Sequence, residues 1–152
     1  MRLHAMLIAT AFVGACSSKN HVPSSAAIRD SLVAAGARGA RMISAQQFAP
    51  GQWTELFVVS PYTPSASIRR CFVGDRRIDE HDIVEREDIT LLVFRFSDGD
   101  IQSRAVPRAA TGFGPDTWSA RYAASATFQV VPGDQTTGAH LVPVAGRLGR
   151  CV

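Results

Sequence analysis

The residues whose chemistry could build a site are few and scattered. His81 stands among Asp79, Glu80 and Asp82, side chains of the types that ligate divalent metals. Consecutive residues on a loop rarely converge on one ion, however, and no second His, Cys or Asp group follows at ligand spacing. The cluster therefore reads as solvated charge, and no metal is expected. Cys71 could act as a nucleophile with His81 as its base, but no thiol-enzyme signature surrounds it. The chain holds no Gly-x-Ser-x-Gly elbow, His-Glu-x-x-His, phosphate loop or dinucleotide fingerprint. Gly112 and Gly114 form a lone Gly-x-Gly and read as a loop, and His140 is isolated. Paired carboxylates of the glycosidase kind meet only in space, and nothing in the sequence selects a pair. No catalytic residue and no cofactor is assigned. Tyr62 and Trp53 are the candidates for binding. Tyr62 lies between Pro61 and Pro64 at a strand-to-helix turn, where rigid loops often carry function. Each also suits a packing role, Tyr62 by stapling the helix to the sheet and Trp53 within the core.

The first residues indicate where such a domain would work. Met1-Arg2-Leu3-His4 is a short cationic opening, Ala5 to Val13 is apolar, and Gly14-Ala15 are small. These are the parts of a secretory signal, and the apolar run falls short of the ~20 residues a transmembrane helix needs. Val13-Gly14-Ala15-Cys16 resembles the bacterial lipobox. The resemblance implies a signal peptide over 1–15, cleavage after Ala15 and acylation of Cys16, whose multiple chains anchor stably where one would not. Ser17 and Ser18 follow, with no Asp to suggest inner-membrane retention. By Gram-negative sorting rules this implies the outer membrane, facing the periplasm.

Removing 15 of 152 residues leaves 137, enough for one cored domain. The mature balance of 15 basic against 13 acidic residues is too mild to imply nucleic acid, and no Lys/Arg run supports it. With Cys16 acylated, Cys71 and Cys151 remain, and an oxidising compartment favours their pairing. That disulfide would close a loop of 80 residues. In the chain-entropy account it constrains the unfolded state by roughly 4 kcal/mol.

The elements that must position these residues follow from pattern. Residues 16–25 read as a lipidated flexible tether and 26–152 as one globular domain. Ser24 or Ser25 is expected to cap a helix with Ile28, Leu32, Val33 and Ala35 on one face, ended by Gly36 or Gly39. Trp53 to Val59 is a strand by β-branched and aromatic content. Thr63 is expected to cap a short helix with Pro64 first and Ile68, Cys71 and Phe72 inward, stopping at Gly74. Residues 75–88 carry seven acids and three arginines and read as a solvated connection. Ile89 to Phe96 forms a hairpin with Ile101 to Val106 through Asp98-Gly99. Further strands fall at about 121–131 and 139–144. The fold class is α+β, an antiparallel sheet of about four or five strands with two short helices packed on one face.

The mature chain is similar to a set of small bacterial proteins, many of them lipoproteins, with no assigned activity. The resemblance rests on Trp53 to Val59, Pro61-Tyr62-Thr63, Ile89 to Phe96, Asp98-Gly99, and Pro107-Arg108 with Phe113. It covers about 60 of the 137 mature residues and lacks the acidic stretch and the paired cysteines. It implies a fold and carries no activity. The functional expectation is a non-enzymatic module, tethered through its lipid, that binds another envelope or secreted protein. An immunity or inhibitor protein is its specific form, and exposed hairpin edges offer strand addition. A cell-wall-active enzyme and a structural envelope lipoprotein are the alternatives. The oligomeric state is left open.

Overall fold

The computed structural model describes residues 20–72, 83, 85–132 and 139–150. The expected signal peptide 1–15, Cys16, most of the acidic stretch with His81, and Cys151 lie outside the described residues. The chain order is α1 (Ser25–Ala37), β1 (Met42–Ser44), α2 (Ala45–Phe48), β2 (Trp53–Val59), α3 (Ser65–Cys71), β3 (Ile89–Phe96), β4 (Ile101–Pro107), α4 (Arg108–Thr111), β5 (Ala120–Val131) and β6 (His140–Arg150). The class is α+β, as the pattern predicts, and all strand pairings are antiparallel. Strand order is β4-β3-β2-β5, with β6 on the far edge of β5. β1 pairs with residues 127–129 of β5, beyond the stretch that β2 occupies.

The helices are not confined to one face. Leu56, Val58, Leu92 and Phe94 join Ile28 and Leu32 of α1 and Phe48 of α2 in one core. Phe57, Val59, Leu91 and Val93 join Ile68 of α3, Phe72 and Ile83 in a second. The reason is visible in β3, whose apolar run does not alternate. Successive strand residues point to opposite faces, so Leu91-Leu92-Val93-Phe94 needs cover on both. A β-bulge between Trp53 and Glu55 resets the alternation in β2. It lets Trp53 share a core with Leu56 while Glu55 pairs with Arg95 at 3.2 Å. The Arg95 guanidinium also donates to the Cys71 carbonyl at 3.1 Å and lies 5.0 Å from the Phe57 ring centroid. One side chain thus fastens the end of α3 to the sheet.

Local capping agrees with the sequence at α1 and departs from it at α3. Ser24 Oγ accepts from the Ala27 amide, and Ile28, Leu32 and Ala35 are buried, whereas Val33 is exposed. At α3 the cap is Pro64, and Thr63 instead donates its hydroxyl to the Ser60 carbonyl at 2.7 Å. The short β1, the single turns α2 and α4, and the extension of β6 to Arg150 were not expected from pattern. Gly112 sits at φ 70°, and a Cβ there would stand 2.5 Å from the Ala139 carbonyl oxygen. This glycine lets the loop after α4 close onto β6, where the Leu141 amide donates to the Gly112 carbonyl at 2.8 Å.

The expected tether is shortened. Residues 20–24 are docked, not loose. Asn20 Nδ2 donates to Asp98 at 2.8 Å, and Gln102 donates to the Asn20 carbonyl at 2.9 Å. Arg104 donates to the carbonyls of Pro23 at 2.9 Å and Val22 at 3.0 Å, and Val22 is fully buried in the first core. Partial burial holds the Arg104 pKa below its ordinary value, but its charge satisfies carbonyls that would otherwise lack partners. Arg104→Ala should therefore destabilise the domain by about 1–3 kcal/mol. In urea titration the midpoint should fall accordingly, and Gln102→Ala, which removes the donor to the Asn20 carbonyl, should lower it as well. An unchanged midpoint in both variants would refute the docking.

Candidate functional site

Among the described residues, both non-glycine residues with positive φ lie at one end of the sheet: Tyr62 at 58° and Ser119 at 52°. Tyr62 follows the last residues of β2, and Ser119 precedes Ala120, which pairs with Val58. Left-handed backbone costs an L-residue about 1–2 kcal/mol and persists only where surrounding structure enforces it, commonly at functional sites. Here the enforcement is explicit. The Tyr62 amide donates to the Ile83 carbonyl at 3.0 Å. Ser60 Oγ stands 2.8 Å from Thr63 Oγ1 and 3.3 Å from Ser119 Oγ, so three hydroxyls join the two strained turns.

Around this end the charged and aromatic groups form a rim. Tyr62 is 57% exposed, and its hydroxyl donates to Glu87 Oε2 at 2.9 Å. Arg108 opens α4 beside them: its amide donates to the Asp88 carbonyl at 2.9 Å and its guanidinium to the Glu87 carbonyl at 3.3 Å. The same guanidinium lies 5.1 Å from the Trp118 ring centroid, a cation–π stack. Trp118 is held by the turn after Gly114, to whose carbonyl its amide donates at 3.2 Å, and its indole Nε1 is buried with no protein partner among the described residues. Arg86 pairs with Asp88 through two hydrogen bonds, which hold the Asp88 carboxyl below its usual range.

The electrostatics define what the rim can do. The hydrogen bond to Glu87 raises the Tyr62 pKa above its ordinary 10.0, a little desolvation and the carboxylate charge act the same way, and Arg108 opposes them. At neutral pH the phenol is a donor and an amphipathic surface, not a base. The three hydroxyls bond one another and the Ser60 carbonyl. Behind them is a small apolar cavity lined by Phe57, Val59, Ile68, Cys71 and Phe72. An exposed Tyr beside a stacked Arg–Trp pair has the composition of a protein-binding hot spot.

Of the residues singled out from sequence, Tyr62 reaches this rim and Trp53 does not. Trp53 is 2% exposed, donates to the Ala49 carbonyl at 2.8 Å and packs edge-on against Phe94 at 5.3 Å. Its place is the core, so it is corrected as a binding residue. Residues 20–24 lie against β4 through the side chains of Gln102 and Arg104, and no backbone hydrogen bond joins the segment to the β4 edge among the described residues. The other edge, β6, carries Pro143, Gly146 and Gly149, with register irregularities opposite Tyr122 and Thr127. Proline and bulges are devices that blunt edge pairing. Cys71 is half-buried against the second core, and its sulfur is not free. Glu87, Arg108, Trp118 and Ser119 were missed. Arg108 alone had a signal, as part of the Pro107-Arg108 pattern, which the fold brings beside Pro61-Tyr62-Thr63.

No family model, curated protein or solved structure matches the chain. Among the described residues, no helix is long and apolar enough to cross a membrane.

Two outcomes test the rim. In a Tyr122→Phe background, which removes the other tyrosine, the phenolate titration should have its midpoint above the ordinary 10.0, and Glu87→Gln should move it downward. The sign follows from linkage: a raised folded-state pKa gives stability that is complete below the unfolded value and lost as pH climbs through the folded one. Absorbance unmoved by Glu87→Gln would break the assigned contact. Separately, Ser119→Gly relieves a left-handed serine at the loss of one long hydroxyl contact. It should leave the domain as stable or more stable by up to about 1 kcal/mol in urea titration. A clear loss would show that Ser119 is not strained.

Proposed function

We propose that this chain is an envelope lipoprotein, anchored through acylated Cys16 in the outer membrane and facing the periplasm, whose domain binds another protein through the Tyr62 rim. The observation that carries the binding role is the exposed Tyr62, held in a left-handed conformation between two prolines and flanked by the Arg108–Trp118 stack. The turn between β2 and α3 fixes the backbone of Tyr62, while its ring buries little and stays open to a partner. A preorganised Tyr–Trp–Arg surface loses little conformational entropy on binding. The lipobox-like Val13-Gly14-Ala15-Cys16 supports the anchor. A small domain on a lipid with a rigid binding rim suits an immunity or inhibitor role against a secreted lytic enzyme or toxin.

A Cys71–Cys151 disulfide completes the proposal. Arg150, the last described residue of β6, pairs with Ala120, which in turn pairs with Val58. Cys151 follows Arg150 in the sequence, and Cys71 ends α3 against the second core. The bond would clamp β6 and α3 together directly beneath the rim.

The test uses the chain in its own envelope. A benzophenone amino acid at position 62 should give a discrete crosslinked adduct in living cells. The same probe at Val144, on exposed β6, should not, and Arg108→Glu should abolish the adduct. Labelled palmitate should enter the wild type but not Cys16→Ser. Equal adducts from both positions, or none from 62, would sink the binding role, and label persisting in Cys16→Ser would sink the anchor.

A further inference from the structure

We infer that the lipid anchor orients the domain, holding the β3–β4 hairpin end of the sheet at the bilayer and presenting the Tyr62 rim away from it to a soluble protein partner. The inference rests on acylation of Cys16 and deepens the proposed function by stating how the rim meets its partner. It stands on the docked segment. Asn20 is fixed to Asp98 and Asp100 at the hairpin turn, and the chain then runs along β4 to Val22 and Pro23 beside Arg104. The backbone therefore passes Asn20 at the hairpin end of the sheet before it reaches α1. The Gly51 turn lies at this end as well, close to the His21 carbonyl, just before the start of β2, where Trp53 pairs with Phe96.

Chain length makes the placement tight. Only three residues separate Cys16 from Asn20. Fully extended, the four steps from Cys16 to Asn20 span at most about 14 Å, so the hairpin end cannot travel far from the headgroups. Tyr62, Arg108 and Ser119 sit at the opposite end, beyond Val59, Pro107 and the start of β5. The seven residues of β2 separate the two ends, about 20 Å at ~3.3 Å per residue. A loose nine-residue tether would let the domain tumble, whereas a docked one gives it a lipid-facing end and an aqueous end. The bulky polar rim then meets partners arriving through the aqueous layer, not lipids of its own leaflet.

Full-length acylated protein, purified from envelopes and reconstituted in phosphatidylethanolamine/phosphatidylglycerol vesicles, tests this. A fluorophore is attached through p-acetylphenylalanine at exposed Ser97, in the hairpin turn, or at exposed Asp116, beside the rim. Nitroxide-headgroup lipids should quench the dye at 97 several-fold more than the dye at 116. Inserting ten Gly/Ser residues between Ser18 and Lys19 should erase most of that difference. Vesicle-bound protein with equal quenching at the two positions, or stronger quenching at 116, overturns the orientation and leaves the anchor intact. Protein that fails to float with vesicles, indistinguishable from Cys16→Ser, overturns the orientation by removing the anchor itself.

Discussion

An apolar strand that does not alternate must be covered on both faces, and the two central strands of this sheet impose that demand on everything else. Seven of the eight residues of β3 are buried, and Leu56 to Val59 of β2 are buried without a break. One face is covered by α1 and α2, with Val22 as an added plug, and the other by α3, Phe72 and Ile83. Each fully buried apolar side chain contributes about 1.5–3 kcal/mol, so exposing either face would cost more than a domain of this size can lose. The polar fasteners follow from the same demand. Arg95 ties α3 down on one side and Arg104 ties the N-terminal segment down on the other.

The demand also explains where the strained residues gather. α3 must leave the end of β2 and fold back over one face within a few residues, which forces the turn at Ser60 to Pro64. The long β5 must begin beside that turn to pair with β2. Tyr62 and Ser119 absorb the resulting backbone conflict, and the linked hydroxyls of Ser60, Thr63 and Ser119 hold the two turns together. A rim assembled this way is rigid for structural reasons before it does anything else. Rigidity is also what a binding surface built on large side chains requires.

Much of this frame was legible because its signals are local. Ser24 before an apolar period, Asp98-Gly99 between two apolar runs, and the β-branched and aromatic content of Trp53 to Val59 located α1, the hairpin and β2 with little error. Two-sided burial was equally present in Leu91-Leu92-Val93-Phe94, but placing both helices on one face ignored what an unalternating run implies. Trp53 illustrates a different limit. Its face depends on a bulge between residues 53 and 55, and a one-residue bulge has no signature in composition. The rim was legible only at Tyr62. Glu87, Arg108 and Trp118 are separated by long stretches of chain and meet through strand register, and no spacing rule reports register across a sheet.

Arg104 shows how one polar residue of an edge strand can fix the path of a segment far away in sequence. Its guanidinium and the Gln102 amide donate to the carbonyls of Asn20, Val22 and Pro23, so the described part of what composition alone marks as a linker lies against β4. The consequence is mechanical: a segment held in this way cannot also be slack, so any anchor upstream of Asn20 inherits the direction in which that segment leaves the hairpin. The residues that pin the segment and the residues that would aim the rim are therefore the same ones. Loosening Asn20, Gln102 or Arg104 would free the segment and the rim's orientation together.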